Sequence, residues 1–246
     1  MDKFYTHSEE IHNTRSAEIV VPLILNLIQA RSVLDVGCGT GTWLKIFNEK
    51  FGLTDFLGLD GSYINYNQLV VDRSHFKEID LRKSFDLQRK FDLVLCLEVA
   101  EHLPEASADD LIASLCRHGN TILFSAAIPG QGGQNHFNEQ WIDYWEVRFN
   151  KHNCLLFDAI RPKIWLEENV DVWYRQNLFV FAKQNELNIT DRAVQMAEIH
   201  PELWRIKIEA LKRLSEEVTG FDQGKAGILR SFRALFNAVG NKFRSK

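Results

Sequence analysis

The sequence predicts an α/β fold in which helices cover both faces of a parallel β-sheet. Short runs of apolar and β-branched residues alternate with stretches of helical periodicity up to about residue 130. A glycine-rich turn joins the first such run directly to a helix. A later run, FDLVLCLEV, is almost continuously apolar, which is typical of a parallel strand buried on both faces.

The elements of this fold follow in chain order. A helix is predicted over residues 16–29, with Pro22 in its early part. Strands are expected in SVLDV, DFLGLD, HFKEIDL, FDLVLCLEV and NTILFS, and helices in TWLKIFNEKFG and ADDLIASLCRHG. Gly52 is placed to end the second helix, since glycine readily adopts the left-handed conformation that follows a last helical turn.

The pattern changes after Gly133. Aromatic residues at helical spacing predict a helix, and they are Trp141, Tyr144, Trp145 and Phe149. Two more strands are predicted in CLLFDAI and YRQNLFVFAK, and we expect them to pair antiparallel because few residues separate them. The second strand ends the predicted domain, so that residues 1–183 form one domain and residues 184–246 a C-terminal helical extension.

Composition limits the classes of function. The formal net charge of −4 over 246 residues gives no field that would hold nucleic acid, so no nucleic-acid partner is expected. The four cysteines show no CxxC pairing, which favours reduced thiols in a cytoplasmic protein. The first residues, MDKFYTHSEE, lack the pattern of a secretion signal, and no apolar run reaches about 18 residues. We therefore expect a cytoplasmic protein.

The most specific motif is Asp35-Val-Gly-Cys-Gly-Thr-Gly41, between a strand and a helix. Its glycines, Gly37, Gly39 and Gly41, let the backbone bend sharply and approach a ligand closely. The helix that follows offers unpaired N–H groups to a polar ligand. The dinucleotide fingerprint requires a glycine where this chain has Thr42, which counts against a NAD-dependent oxidoreductase.

Two further acids follow strands of the predicted sheet. Asp60 ends the second strand, where a carboxylate can accept both hydroxyls of a ribose. Asp80 ends the third strand and is placed to accept from an adenine amino group, with Leu81 beside the ring. The alternative for Asp80 is a turn cap.

The segments LDVGCGTG, GLDGS, EIDL and LEVAEHLP, in this order and at these intervals, resemble the class I methyltransferases of the methyltransferase-11/23 group over residues 16–183. The resemblance implies a Rossmann-like, doubly wound sheet of seven strands with an antiparallel last strand. It implies that S-adenosylmethionine lies over the carboxyl ends of the strands, with Asp35 at its ammonium group. It also implies that Leu97 and Glu98 line the cofactor pocket after the fourth strand.

A methyl acceptor hydroxyl must lose its proton, which favours histidine as the base. His136 is the first candidate, because it follows the fifth strand in a glycine-rich loop. His102 is the second, and Glu101 is expected to support it or to face solvent. The alternatives are that His136 only caps the next helix and that His102 is structural. Glu98, Glu101 and Asn138 are conceivable metal ligands, but no spacing demands a metal and none is expected.

The expected acceptor is a small molecule or carbohydrate, bound by the region 130–176. Aromatic and basic residues are numerous there, and they are Trp141, Tyr144, Trp145, Arg148, Arg161, Lys163, Trp165, Trp173, Tyr174 and Arg175. PGQGGQNHFNEQW, RPKIW and WYRQNLFVF are similar to segments of a bacterial subset associated with glycan or natural-product assembly. The sequence therefore predicts O-methylation of a sugar or secondary metabolite. N-methylation and a non-catalytic scaffold remain the alternatives.

The C-terminal extension is predicted to be helical. Residues 221–246 combine an apolar stripe with six basic residues, Lys225, Arg230, Arg233, Lys242, Arg244 and Lys246, against the single acid Asp222. Such a helix can lie on an anionic membrane surface or bind a partner protein. The alternative is that it packs on its own domain or across a homodimer.

Overall fold

The computed structural model describes residues 13–184, 186–187 and 199–222. It confirms the predicted α/β fold. Seven strands form one sheet: β1 Ser32–Val36, β2 Asp55–Asp60, β3 Phe76–Glu78, β4 Leu93–Leu97, β5 Thr121–Ser125, β6 Cys154–Phe157 and β7 Phe179–Lys183. The helices are α1 Arg15–Leu27, α2 Thr42–Phe51, α3 Ala108–His118, α4 Ile142–Asn150, α5 Arg161–Ile164, α6 Val172–Asn177 and α7 Pro201–Asp222.

The strand order in the sheet is β3-β2-β1-β4-β5-β7-β6. Strands β1 to β5 run parallel, whereas β7 is antiparallel to both of its neighbours, β5 and β6. The chain passes from β1 outward to β3 and then returns to β4 on the other side of β1. In such sheets the ligand crevice lies where the strand order reverses, above the carboxyl ends of the strands. Here that point is the carboxyl end of β1 and β4.

Two apolar cores cover the faces of the sheet. One lies beneath α1 and α2 and includes Val20, Ile24 and Phe47, which are fully buried. The other lies beneath α3 and α4, where the aromatic helix face predicted after Gly133 packs on the sheet. The ring of Phe149 stacks on Phe181 at 3.8 Å between ring centroids. The two cores hold the central strands rigidly, so the side chains at their carboxyl ends have fixed positions.

The structure corrects two element boundaries. The predicted last strand began at Tyr174, but residues 172–177 form α6 and the strand begins only at Phe179. The polar residues Arg175, Gln176 and Asn177 belong to that helix, and their side chains are buried in the protein interior. The third strand ends at Glu78, so Asp80 lies two residues beyond it rather than at its end.

The chain divides into two compact units, residues 1–200 and 201–246. The helical periodicity that begins at Leu203 is confirmed by α7. The division at residue 183 stays a prediction, and the basic residues from 223 to 246 lie outside the described residues. Among the described helices, none is both long and apolar enough to cross a membrane.

Candidate functional site

The glycine turn between β1 and α2 requires glycine for two reasons. Gly37 and Gly41 have φ angles of +81° and +89°, in the left-handed region that side chains disfavour. A Cβ on Gly37 would also lie 2.3 Å from Cγ2 of Val99, just after β4. The turn therefore lies directly against the segment that follows β4. Its backbone can approach a ligand with no side chain in between.

Asp35 carries a buried carboxyl with unused hydrogen-bonding capacity. The residue is 3% exposed, and its Oδ2 has no hydrogen-bond partner in the part of the chain that the structure describes. Burial, and next the charge of Asp60, raise the pKa of Asp35 to about 8. A buried acceptor without a partner is unfavourable unless a ligand supplies a donor. The ammonium group of S-adenosylmethionine is such a donor, so Asp35 fits the expected cofactor.

We predict that Asp35→Asn makes the cofactor-free protein more stable at alkaline pH. A carboxyl whose folded pKa is raised keeps its proton longer in the folded state, so the free energy of unfolding falls as pH rises from about 4 to about 8. Asparagine does not titrate, so the free energy of unfolding of the variant lacks this decrease with pH. Between pH 5.5 and pH 8.5, the free energy of unfolding of the variant relative to that of the native protein should rise by about 1 kcal/mol or more. Thermal denaturation at the two pH values should show this as a rise of roughly 2–4 °C in the relative melting temperature.

The control for this experiment is Asp55→Asn, because Asp55 is exposed and pairs with Arg89 at the surface. We expect no comparable pH-dependent gain there. A constant difference between native protein and Asp35→Asn across this pH range would show that Asp35 has an ordinary pKa.

Asp60, at the end of β2, holds the glycine turn in place. Its carboxylate is 2% exposed and accepts the backbone N–H groups of Gly39 and Gly61, both at 2.7 Å. The hydroxyl of Tyr63 donates to the same carboxylate at 2.5 Å. Tyr63 is 41% exposed, so a ribose hydroxyl can replace it as the donor. The sequence reasoning missed Tyr63, although its position three residues after an acid is a local signal.

Asp80 lies in a surface ion pair. Its carboxylate contacts Nε of Arg82 at 2.8 Å and accepts the backbone N–H of Arg82 at 3.1 Å. The latter is the contact of a turn cap, which was the alternative interpretation. The bond from the Arg82 guanidinium lowers the pKa of Asp80. Leu81 is buried in the core beneath the sheet edge. The adenine contact stays a prediction for both residues.

Leu97 and Glu98 lie at the carboxyl end of β4, beside the glycine turn. Leu97 is 8% exposed, and Glu98 has a φ of +54° that turns the chain sharply out of the strand. The Glu98 carboxylate accepts from the side-chain amides of Gln131 and Asn177, at 3.1 and 3.3 Å. Burial raises the pKa of Glu98, and these hydrogen bonds oppose the increase. Glu98 thus joins β4 to the loop after β5 and to α6.

The two candidate histidines lie next to each other. The rings of His102 and His136 meet edge to face, with centroids 4.8 Å apart. Nδ1 of His136 lies 2.8 Å from Oε1 of Glu139, which orients the ring. Burial, and next the charge of His136, lower the pKa of His102 to about 4. The sequence places Glu139 three residues after His136, among the polar groups able to orient its ring, and the structure brings the two side chains into contact.

Glu101 completes this group. It is fully buried rather than facing solvent, and neither of its carboxylate oxygens has a hydrogen-bond partner at standard geometry within the described chain. Burial, and next the charge of Glu98, raise its pKa well above the usual range. Its backbone carbonyl accepts the N–H groups of Phe137 and Asn138, at 2.8 and 3.0 Å, which fixes the loop that carries His136. We call Glu101, His102 and His136 the histidine cluster.

Several residues of the region 130–176, which is expected to bind the acceptor, lie in the protein interior. Trp145 is 1% exposed, and the guanidinium of Arg161 is held by Asp158 at 2.7 Å and by the carbonyl of Gln176 at 3.0 Å. Trp141 remains at the edge of a cleft. That cleft is lined by residues after β5 and around α4 to β7, and they are Ala126, Ile128, Gln140, Trp141, Ile142, Trp145, Arg161, Gln176, Asn177 and Phe179. Because Asn177 also bonds to Glu98, the cleft adjoins the carboxyl end of β4.

Comparison with known proteins gives the family. The sequence model of a family described as "Methyltransferase domain" matches residues 10–161, which is more than half of the chain. A ubiquinone biosynthesis O-methyltransferase of Proteus mirabilis is 27% identical over 199 residues, which cover 62% of this chain and 78% of that protein. A dTDP-3-amino-3,4,6-trideoxy-α-D-glucopyranose N,N-dimethyltransferase of Streptomyces venezuelae is 30% identical over 96 residues, 39% of this chain and 40% of that protein.

Solved structures share the fold. The sugar N-methyltransferase KedS8 of Streptoalloteichus superposes with a TM-score of 0.55 at 17% identity, covering 73% of this chain and 95% of that one. CalS10, an amino pentose methyltransferase of Micromonospora echinaspora, was solved with S-adenosylmethionine bound. It gives a TM-score of 0.52 at 19% identity, and the match covers 73% of this chain and 98% of that one. The chain therefore belongs to the methyltransferase-domain family and is a class I methyltransferase that uses S-adenosylmethionine.

Proposed function

We propose that this enzyme methylates a hydroxyl group of a small acceptor, a sugar or a secondary metabolite. The observation that carries the proposal is the histidine cluster at the carboxyl end of β4, with His136 oriented by Glu139. A hydroxyl is a poor nucleophile until it loses its proton, whereas a neutral amine needs no such help. Two oriented imidazoles beside a buried carboxylate suit the first task.

The cofactor site is proposed to include the glycine turn, Asp35 and Asp60. S-adenosylmethionine supplies an activated methyl group, so the protein mainly has to align the acceptor and remove its proton. Among the described residues the buried Oδ2 of Asp35 has no hydrogen-bond partner and can accept from the ammonium group, and Asp60 holds the glycine turn in place. An intact site of this kind argues against a non-catalytic scaffold.

The proposed acceptor site is the cleft beside Trp141 and Asn177. The amides of Gln140, Gln176 and Asn177 line it and suit hydroxyl groups. The indole of Trp141 offers an apolar face of the kind on which such rings pack.

N-methylation of an amino sugar is the second candidate. The observation in its favour is the 30% identity to a sugar N,N-dimethyltransferase over 96 residues. That match covers only 39% of this chain, so the acceptor of the relative does not transfer directly. O-methylation requires more of His136 than N-methylation does, because a hydroxyl has to lose its proton and a neutral amine does not.

Matched acceptors decide between the two candidates. Methyl transfer from labelled S-adenosylmethionine is measured for pairs of sugars, and of phenols, that differ only in a hydroxyl or an amino group at one position. We expect labelled hydroxyl products, and His136→Ala should lower kcat by about 100-fold or more with unchanged affinity for S-adenosylhomocysteine. His152→Ala is the control, because His152 lies two residues beyond the end of α4 and outside the histidine cluster. Labelling of the amines alone, with little effect of His136→Ala, would establish N-methylation instead.

A further inference from the structure

We propose that Glu101, His102 and His136 bind a divalent first-row transition-metal ion at the carboxyl end of β4. The ion would coordinate the acceptor hydroxyl and make it easier to deprotonate. This catalytic part rests on the proposed O-methylation, whereas the binding part does not. The proposal replaces the sequence-based expectation of a site without metal, and it makes His136 a ligand rather than the base.

The first observation is the spacing of the ligand atoms. One ligand atom from each of the three residues lies within 4.8 Å of the others. Metal–ligand bonds to imidazole and carboxylate are about 2.0–2.2 Å long, so that bound atoms lie about 3.5 Å apart in a tetrahedral site and about 4.4 Å apart when they are trans to each other. Side-chain rotations within the cluster would bring the three ligand atoms to such a spacing.

The second observation is independent of that spacing and concerns Glu101. This residue is fully buried, and neither of its carboxylate oxygens forms a hydrogen bond of standard geometry with another described residue, although its carboxyl lies against that of Glu98 and the backbone of Ala127. A buried carboxylate is strongly unfavourable unless a cation or several donors compensate its charge. A metal ion between Glu101 and the two imidazoles would compensate the charge of this carboxylate.

The histidines are held as metal-binding histidines usually are. Such residues give one ring nitrogen to the metal and the other to a carboxylate or a backbone carbonyl. Nδ1 of His136 lies against Glu139, and Nδ1 of His102 lies 3.3 Å from the carbonyl oxygen of Asn135. Glu139 in turn accepts the N–H groups of Gly130 and Gly132. In this arrangement the Nε2 atoms are the ones that would bind the ion.

The ligand set indicates the class of metal. Imidazole nitrogens suit Zn²⁺, Co²⁺, Mn²⁺ and Fe²⁺, whereas Mg²⁺ and Ca²⁺ prefer sites made of oxygen atoms. Two imidazoles and one carboxylate leave at least one coordination position open. An acceptor hydroxyl in that position has a lowered pKa: its O–H bond breaks, the proton leaves to solvent water and the oxygen keeps the electron pair.

Cobalt binding tests the site without any need for an acceptor. Chelator-treated, tag-free protein is titrated with Co²⁺, followed by visible absorption, and with Zn²⁺, followed by calorimetry. We expect one saturable equivalent, with the visible bands of a coordinated Co²⁺ ion. Glu101→Gln and His136→Ala should each weaken Zn²⁺ binding by about 100-fold or more, and Glu139→Gln by about 10-fold or more.

Controls separate this proposal from folding and from the proposed function. His152→Ala should bind Zn²⁺ like the native protein, and melting temperatures show that each variant is folded. His136 lies on a loop, so His136→Ala remains informative if Glu101→Gln does not fold. Absence of saturable binding, or equal binding by native protein and both variants, overturns the proposal.

Activity gives a separate answer for the catalytic part. Hydroxyl methylation that stops after chelation and returns with Co²⁺ or Zn²⁺ supports it. Undiminished hydroxyl methylation by the chelated enzyme overturns the role of the metal but leaves the proposed O-methylation intact. Methylation of amines alone overturns the proposed function, while the binding titration still decides whether the metal site exists.

Discussion

Replacement of Gly37 with alanine is expected to abolish cofactor binding, with the affinity for S-adenosylhomocysteine reduced by about 100-fold or more. At a φ of +81° the new side chain costs about 1–2 kcal/mol of backbone strain. Its Cβ would also lie 2.3 and 2.9 Å from the two Cγ atoms of Val99, so the turn or the segment after β4 has to move. Both segments belong to the proposed cofactor site.

Gly130→Ala is a matched control for this variant. Gly130 has a φ of +82°, nearly the same as Gly37, but a Cβ there would meet no described heavy atom within 4 Å. It carries the same backbone strain without the clash, so its affinity for S-adenosylhomocysteine should stay within a few-fold of native. Calorimetric titration of both variants measures the difference. Equal affinities for the two would mean that the turn does not contact the cofactor.

The second large effect is expected for Asp60→Ala, which should also weaken S-adenosylhomocysteine binding by about 100-fold or more. The carboxylate is the acceptor for the N–H groups of Gly39 and Gly61, and its loss leaves both donors without this partner. Each buried donor left unpaired costs about 1–3 kcal/mol. The turn then loses its shape, and the ribose loses its expected acceptor.

Asp55→Ala is the control for Asp60→Ala, because it removes an aspartate from the other end of the same strand. Asp55 begins β2, is exposed and pairs only with Arg89 in the contacts described. Surface pairs of this kind contribute little to stability. We expect native affinity for S-adenosylhomocysteine and a nearly native melting temperature. A comparable loss of affinity in both variants would point to a general effect on β2 rather than to a role of Asp60.

The sequence predicts the geometry of the turn between β1 and α2 well because its signals are local. The strand, the three glycines and the helix start of the turn are contiguous from residue 32 to residue 42, so their geometry follows from neighbouring residues alone. The sheet was predictable for the same reason, since each buried strand is a short apolar run. Asp60 lies at the end of β2, as the sequence predicted.

The acceptor half was less predictable because it depends on contacts between distant segments. His102 and His136 are brought together only when the loop after β5 bonds through Phe137 and Asn138 to the carbonyl of Glu101. No periodicity carries that information. The burial of Glu101, which was expected to support His102 or face solvent, follows from the same packing.

The basic residues near α5 show a different source of error. Composition placed Arg161 among the residues expected to bind the acceptor, but its guanidinium is paired with Asp158, three residues earlier. Arg148 likewise lies over the ring of Tyr144, four residues earlier, at 3.5 Å from the ring centroid. Counting charges does not reveal such local partners. The spacing of three or four residues was the available signal.

The most direct test of the site assignment is a calorimetric titration of the native protein with S-adenosylmethionine, S-adenosylhomocysteine and NAD, repeated on Asp60→Ala. We predict micromolar binding of the two adenosyl ligands, no binding of NAD, and loss of adenosyl binding in the variant. Unchanged binding of the adenosyl ligands by Asp60→Ala, or binding of NAD alone, would contradict the assignment of the cofactor to the glycine turn between β1 and α2.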